Sequence, residues 1–350
     1  MDMQAAVLRG INDLRLDRRE RPEPGPGEVL LRMDANTICG TDLRLISGAK
    51  TAGVRPGVVM GHEFAGRVEA VGEGVEGVPL GAQATCSIVL SCNHCPACLA
   101  GREHLCENLE LFGYAIDGGM AEYMLVPRRA VENGNLVIAP QELDPTLLAL
   151  AEPVSCVING ANQFRVQPGE SVMVLGTGPI GLLHVALANL AGATTILASG
   201  RPGRLEPALE MGATDAFDLT GQALTDEILS RTDGRGVDVV IVCVGAPELA
   251  NQALELAAIG GRVNYFAGFP KGSTAEMDPN LIHYKELVVT GGSNARRADV
   301  RTAVELLSSG RLPVGSLVTH TFPLSELDAA ITAVRERQGL KVAVLPSESR

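Results

Sequence analysis

The segment SVMVLGTGPIGLLHVALANLAGATTILAS, Ser171 to Ser199, constrains the fold of this 350-residue chain more than any other. Ser171–Gly176 is a continuous apolar run of the kind buried on both faces of a parallel sheet, and helical spacing follows from Gly178. TTILAS then reads as a second strand. The alternation continues with RLEPALEMGA as helix, VDVVIVCVG (Val237–Gly245) as strand, ELANQALELAAIG as helix and GRVNYFAG as strand. Strands and helices in turn at this spacing predict a parallel, doubly wound sheet and an α/β fold class. At the first strand–helix turn, Gly176, Gly178, Pro179, Ile180 and Gly181 form G-T-G-P-I-G. Such a motif is weak alone, but between a strand and a helix it reads as a dinucleotide phosphate loop. The first glycine makes the turn, the second admits the pyrophosphate and the third lets helix and strand pack, with the helix N-terminus facing the phosphates.

The end of the second strand selects the dinucleotide. A carboxylate about twenty residues past the loop would accept the ribose 2′-hydroxyl of NAD. Here the segment is LASGRPGR, with Ser199, Gly200, Arg201 and Arg204 and no acid before Glu206. A small residue beside guanidinium groups suits a 2′-phosphate. The expectation is NADP(H), with NAD(H) as the alternative if both arginines lie in solvent.

From Ala5 to about Leu150 the chain reads differently, as short apolar or alternating runs punctuated by Gly and Pro, which suggests an irregular β-rich lobe. Within it Cys92, Cys95, Cys98 and Cys106 occupy SCNHCPACLAGREHLC. Three thiols at C-x2-C-x2-C, closed by a fourth, can wrap one tetrahedral ion. A zinc held by four thiolates has no open position and is structural. Four free thiols are the bland alternative, and the ferredoxin spacing for an iron–sulfur cluster is not met. After about Thr290, ADVRTAVELLSSG, LVTHTFPL, SELDAAITAVRER and KVAVLP form a tail expected to return to the first lobe.

Composition excludes several functions. The net charge is −12 and there is no Trp, which argues against a nucleic-acid partner. Arg15, Arg18, Arg19 and Arg21 read as a solvated turn. No basic and apolar leader opens the sequence and no apolar run of about 18 residues occurs, so neither export nor a membrane partner is expected. Cysteines in such a chain read as metal ligands and buried thiols, which suits a cytoplasmic protein; Cys86, Cys156 and Cys243 fall in the second group. His184, on the first helix after the glycine loop, reads as packing.

Cys39 in ICGTD and His62 and Glu63 in GHEFAG are ligand types suited to an open zinc site. Taken with the four-cysteine lobe, AEPVSC and GTGPIG, these segments resemble the zinc-dependent medium-chain dehydrogenase superfamily across essentially the whole chain. The nearest branch is that of polyol (sorbitol-like) and threonine dehydrogenases, to which GFPKGSTAEMDPNLIHYKEL adds support. The resemblance implies a GroES-like catalytic domain (residues 1–152 and 291–350, with the structural zinc lobe at about 86–110), a Rossmann domain (153–290) and an active site in the cleft between them. It implies two zinc ions per chain. Cys39 and His62 would ligate the catalytic zinc, Glu63 would be the adjacent acid that ligates directly or through water, and Glu152, in AEPVSC, falls where this branch places a carboxylate ligand. Thr41 matches the family's proton-relaying hydroxyl. Where many relatives carry an outer relay His, this chain has Arg44, whose guanidinium titrates too high to shuttle protons. Pairing with the cofactor pyrophosphate, pairing with an anionic substrate and plain solvation all remain open to it.

The resulting expectation is hydride transfer between NADP(H) and the secondary alcohol or ketone of a small polyol or cyclitol. The alternatives are a threonine-type or phosphorylated-polyol dehydrogenase using NAD(H), and a non-catalytic NADP(H)-binding redox sensor. By the same resemblance the assembly would be a homodimer or homotetramer.

Overall fold

The computed structural model describes residues 2–346. Contacts divide the chain into two units: one runs to Ser155 and takes in Asn294–Gly310 and the residues from Gly315, and the other comprises Cys156–Ser293 with Arg311–Val314. No described helix is long and apolar enough to cross a membrane.

The first unit is organised by the strand Val29–Thr37, buried along nearly its whole length. One edge pairs antiparallel with Glu63–Val71. The other edge is shared by Tyr123–Val126, along Val29–Arg32, and by Lys341–Leu345, along Asn36–Thr37. Gln83–Cys86 and Leu136–Ile138 extend the sheet on one side, and Val318–Pro323 on the other. The C-terminal tail therefore supplies strands of this sheet. Register has a direct consequence, because Thr37 lies opposite both Glu63 and Ala343. Side chains alternate along a strand, so Lys341, two before Ala343, shares a face with Thr37 and Glu63.

A smaller sheet of Asp13–Glu20, Asp2–Gly10 and Val58–Val59 closes the barrel-like lobe. Arg15, Arg18 and Arg19 lie on its outer strand rather than in a turn. Ion pairs Arg15–Asp13, Arg19–Asp117 and Arg21–Glu69 replace the bare solvation expected of the cluster. Between these sheets the backbone packs without side chains: a Cβ on Gly118 would meet the Gly61 carbonyl oxygen and come within 2.8 Å of Met60 O and Gly113 Cα. Gly61, which precedes His62, holds φ +94°, a conformation that favours glycine.

The second unit is a six-stranded sheet, parallel throughout, in the order Asp215–Phe217, Thr195–Ser199, Ser171–Leu175, Val237–Val242, Ala257–Tyr265, Val288–Gly291. Numbered by sequence this is 3-2-1-4-5-6, the doubly wound dinucleotide-binding arrangement. All five residues of Ser171–Leu175 are buried, as a central parallel strand requires. One helix is shorter than its apolar spacing suggests. It ends at Leu256, and Ala257–Gly260 belong to the next strand. The Lys285 ammonium donates to the carbonyls of Leu254, Glu255 and Ala257 at 3.1, 2.9 and 2.9 Å. Those oxygens lose their helical partners at the terminus, and the ammonium takes their place.

Gly118→Ala is expected to cost about 1–3 kcal/mol of stability, because the collisions are with backbone that cannot rotate away. Urea denaturation of the two proteins checks this.

Candidate functional site

Cys39 is the N-cap of the short helix Gly40–Ile46, with extended backbone at φ −93° and ψ 152°. Asp42, three residues on, accepts the Cys39 backbone N–H through Oδ2 at 2.8 Å. Its other oxygen lies 3.2 Å from His62 Nδ1. One fully buried carboxylate thus caps the helix that presents Cys39 and orients the imidazole. His62 enters at the start of the strand Glu63–Val71, with its ring 5.4 Å from that of Tyr114 and within reach of the Cys39 thiol. Burial, the largest single influence on His62, pulls its proton affinity down. Asp42, Tyr114 and Cys39 outweigh that and hold it well above the ordinary imidazole range. A metal at the second ring nitrogen would displace the proton there and leave the Nδ1 proton facing Asp42.

Ligand atoms of Cys39, His62 and Glu63 all lie within 4.8 Å of one another, which is compatible with one ion at about 2.0–2.3 Å from each. Thiolate, imidazole and carboxylate form a donor set that fits zinc. Glu63 is also held from behind. Thr37 Oγ1 donates to its Oε2, and the Lys341 ammonium lies 2.7 Å from Oε1 and 2.5 Å from Oε2. Lys341 is itself buried. Desolvation pulls its proton affinity down, yet Glu63, followed by Cys39 and Glu152, keeps it raised and charged. Glu152 sits in the first turn of the helix Ala151–Phe164, outside the group of three, and its charge is felt by Lys341, Lys50 and Tyr114 as that of Cys39 is. The Arg44 guanidinium is exposed and donates to Thr41 Oγ1 at 3.0 Å.

The cysteine lobe is equally well formed. Sulfur–sulfur distances are 3.4 Å for Cys95–Cys98, 3.9 Å for Cys95–Cys106 and 3.5 Å for Cys92–Cys106. A tetrahedral zinc with Zn–S near 2.3 Å has edges of about 3.8 Å. Backbone N–H groups of Cys92 and Asn108 each donate to Cys106 Sγ at 3.3 Å. Chiefly through the His94 N–H, Cys92 is pushed down to about 6, and N–H groups of Glu107 and Cys98 lower Cys95. Cys98, by contrast, is pushed up to about 12 by burial and by its neighbouring thiols. Four sulfurs this close cannot all ionise unless a cation compensates.

In the second unit, Gly176 turns at φ +107° and Gly178 caps the helix Pro179–Leu190, with Pro179 at its first position. A Cβ on Gly181 would run into the Gly176 carbonyl oxygen. Beside the loop is a cavity of about 460 Å³ whose wall includes Gly176, Ser199, Gly200, Arg201, Asp218 and Thr220. Ser199 turns its hydroxyl away to donate to the Leu219 carbonyl at 2.8 Å. Arg201 is exposed, and Arg204 Nη1 lies 3.5 Å from where a Gly178 Cβ would stand. His184 is packed between Phe164 and Phe266, and burial pushes it down to about 3. Cys86 is buried, whereas Cys156 and Cys243 are only partly so.

Asp42, Lys341 and Asp218 were not singled out by sequence reasoning. An acid at the helix position that closes a capping box marks Asp42, and a charge opening the otherwise apolar KVAVL marks Lys341. Asp218 has no such local signal, since only strand pairing brings it beside Ser199. Asp42→Asn is expected to weaken metal affinity about 10–100-fold, measured by competition with a chromophoric chelator. Lys341→Met strands Glu63 as an uncompensated buried charge, and a loss of about 3–5 kcal/mol in urea denaturation is expected.

Two family descriptions match the chain: the alcohol dehydrogenase GroES-like domain over residues 25–134 and zinc-binding dehydrogenase over 179–309. L-threonine 3-dehydrogenase of Thermococcus kodakarensis is 33% identical over 93% of this chain and 92% of its own length. The protein of that name from Pyrococcus furiosus is 35% identical over 86% of each. Among solved structures, a protein of Sinorhizobium meliloti 1021 assigned as a zinc-binding dehydrogenase and bound to NADP superposes with a TM-score of 0.93, at 36% identity over 99% of this chain and 100% of that one. An alcohol dehydrogenase of Thermus sp. ATN1 gives 0.89, at 32% identity over 98% and 99%. This chain belongs to the zinc-dependent medium-chain dehydrogenase superfamily, the NAD(P)-linked oxidoreductases that act on CH–OH groups.

Proposed function

We propose that the protein interconverts a secondary alcohol and its ketone on a small polyol or cyclitol, with NADP(H) as the hydride partner. The observation that carries this is the convergence of Cys39, His62 and Glu63 on one small volume. Cys39 and His62 would hold a catalytic zinc, with Glu63 and Glu152 as its adjacent carboxylates, and Cys92, Cys95, Cys98 and Cys106 would hold a second, structural one. Zinc bound at the first centre supplies a Lewis acid for the substrate oxygen. Asp42 fixes the imidazole tautomer. Lys341 neutralises Glu63 from behind, which lowers the negative charge that a metal at this centre would feel. Arg44, donating to Thr41 Oγ1, leaves the threonine O–H free to donate elsewhere and makes it more acidic. In this reading Arg44 positions the relay hydroxyl without titrating itself.

On the cofactor side, Gly176, Gly178, Pro179, Ile180 and Gly181 would carry the pyrophosphate, and Arg201 and Arg204 the 2′-phosphate. Ser199 contributes smallness rather than a hydrogen bond, since its hydroxyl is already engaged.

A second reading, NAD(H) with a threonine-type substrate, is favoured by Asp218. Its carboxylate lines the same cavity as Arg201 and suits ribose hydroxyls better than a phosphate. Relatives named L-threonine 3-dehydrogenase point the same way. Initial rates with each cofactor against polyols, cyclitols and L-threonine separate the two. If the first reading holds, the double substitution of Arg201 and Arg204 by alanine raises the KM for NADP+ about 10–100-fold and largely spares that for NAD+. Cys39→Ser is expected to abolish turnover and lower the zinc content from two per chain to one, with NADP+ binding retained. Full activity in that variant would refute the site.

A further inference from the structure

Lys50 follows the helix that presents Cys39, beyond a turn through Gly48 at φ +74°. Its ammonium lies 4.7 Å from the centroid of the Tyr114 ring, and that ring stands 5.4 Å from the His62 imidazole. Tyr114 is therefore a wall shared by the metal-binding donors and the lysine. Lys50 is half-buried, and among the described residues neither it nor Arg44 makes an ion pair. The two residues are joined through the backbone, where the Lys50 N–H donates to the Arg44 carbonyl at 3.0 Å. Burial and the charge of Arg44 both disfavour the ammonium, while Cys39, Glu152 and Asp42 favour it, which places all of these groups in one electrostatic neighbourhood. A ring face compensates a desolvated ammonium only in part. Two cations beside the candidate metal centre, neither of them in an ion pair among the described residues, are complementary to an anion.

We propose that Lys50, with Arg44 beside it, binds an anionic group of the substrate, a carboxylate or a phosphate, a few atoms from the carbon that is oxidised. The assignment rests on reading Cys39 and His62 as an alcohol-oxidising centre, and it replaces the neutral polyol or cyclitol of that reading by a phosphorylated polyol or a short hydroxy acid.

The test uses matched pairs with the zinc-loaded, full-length enzyme: 3-hydroxybutyrate against 1,3-butanediol, and glycerol 3-phosphate against glycerol, each with both cofactors. Wild-type enzyme is expected to favour the anionic member of at least one pair in kcat/KM by about 10–100-fold, the worth of one charge-assisted contact. The pair that shows this preference tells carboxylate from phosphate. Lys50→Gln is expected to collapse the ratio, mainly through the KM of the anionic member, and Lys50→Arg to retain it. A wild-type enzyme that treats both members of each pair alike, or a ratio unmoved in Lys50→Gln, overturns the Lys50 assignment while leaving the alcohol-oxidising centre intact. Turnover of none of the four compounds, nor of the polyols, cyclitols and L-threonine named above, with either cofactor overturns both.

Discussion

A buried lysine and a buried glutamate meeting across the central strand of the first unit hold the candidate metal centre in place. Neither charge tolerates that environment alone, and their mutual attraction is what makes the register of Val29–Thr37 with both neighbouring strands self-consistent. A slip by one residue would turn Glu63 and Lys341 to opposite faces. Because His62 directly precedes Glu63, the same register fixes the imidazole. Because Lys341 comes from the C-terminal tail, the centre is complete only when the last strand is in its sheet.

The second level of control is local. Asp42 serves a helix terminus and an imidazole at once, so the geometry of Cys39 and His62 is not set independently. A loop cysteine becomes a rigid donor by being an N-cap, and a histidine at a strand entrance becomes rigid by leaning on that cap. Backbone packing around Gly61, Gly113 and Gly118 removes the remaining freedom at the turn before His62.

Much of this could be read from residues alone. The doubly wound sheet follows from continuous apolar strands such as Ser171–Leu175 alternating with helical spacing, a pattern that burial on both faces imposes locally. The donor types that meet in the two candidate centres could be read too, since Cys39, His62 and the four-cysteine run carry their chemistry in their identities. The partners of those ligands were not. Lys341 is 278 positions from Glu63 in sequence, and Lys50 gains meaning only through the ring of Tyr114. Ser199 shows the reverse limit. Its type was right for the end of that strand, but the neighbouring connection claims its hydroxyl. The helix that stops at Leu256 makes the same point, because the lysine that ends it lies far along the chain and pattern continued where structure did not.

The four-cysteine lobe also ties the molecule to the acidity of its surroundings. Its sulfurs span a wide range of proton affinity, from Cys92 near 6 to Cys98 near 12, so in the absence of a cation some carry protons and some do not. Closing the lobe around a metal must expel the protons that remain. Occupancy is then an acid–base equilibrium as much as a coordination one, and acidification works against it as a chelator does. The lobe reaches the rest of the unit through Glu103, which accepts the backbone N–H of Arg297 at 3.0 Å, so a metal held by the four thiols would also brace that contact.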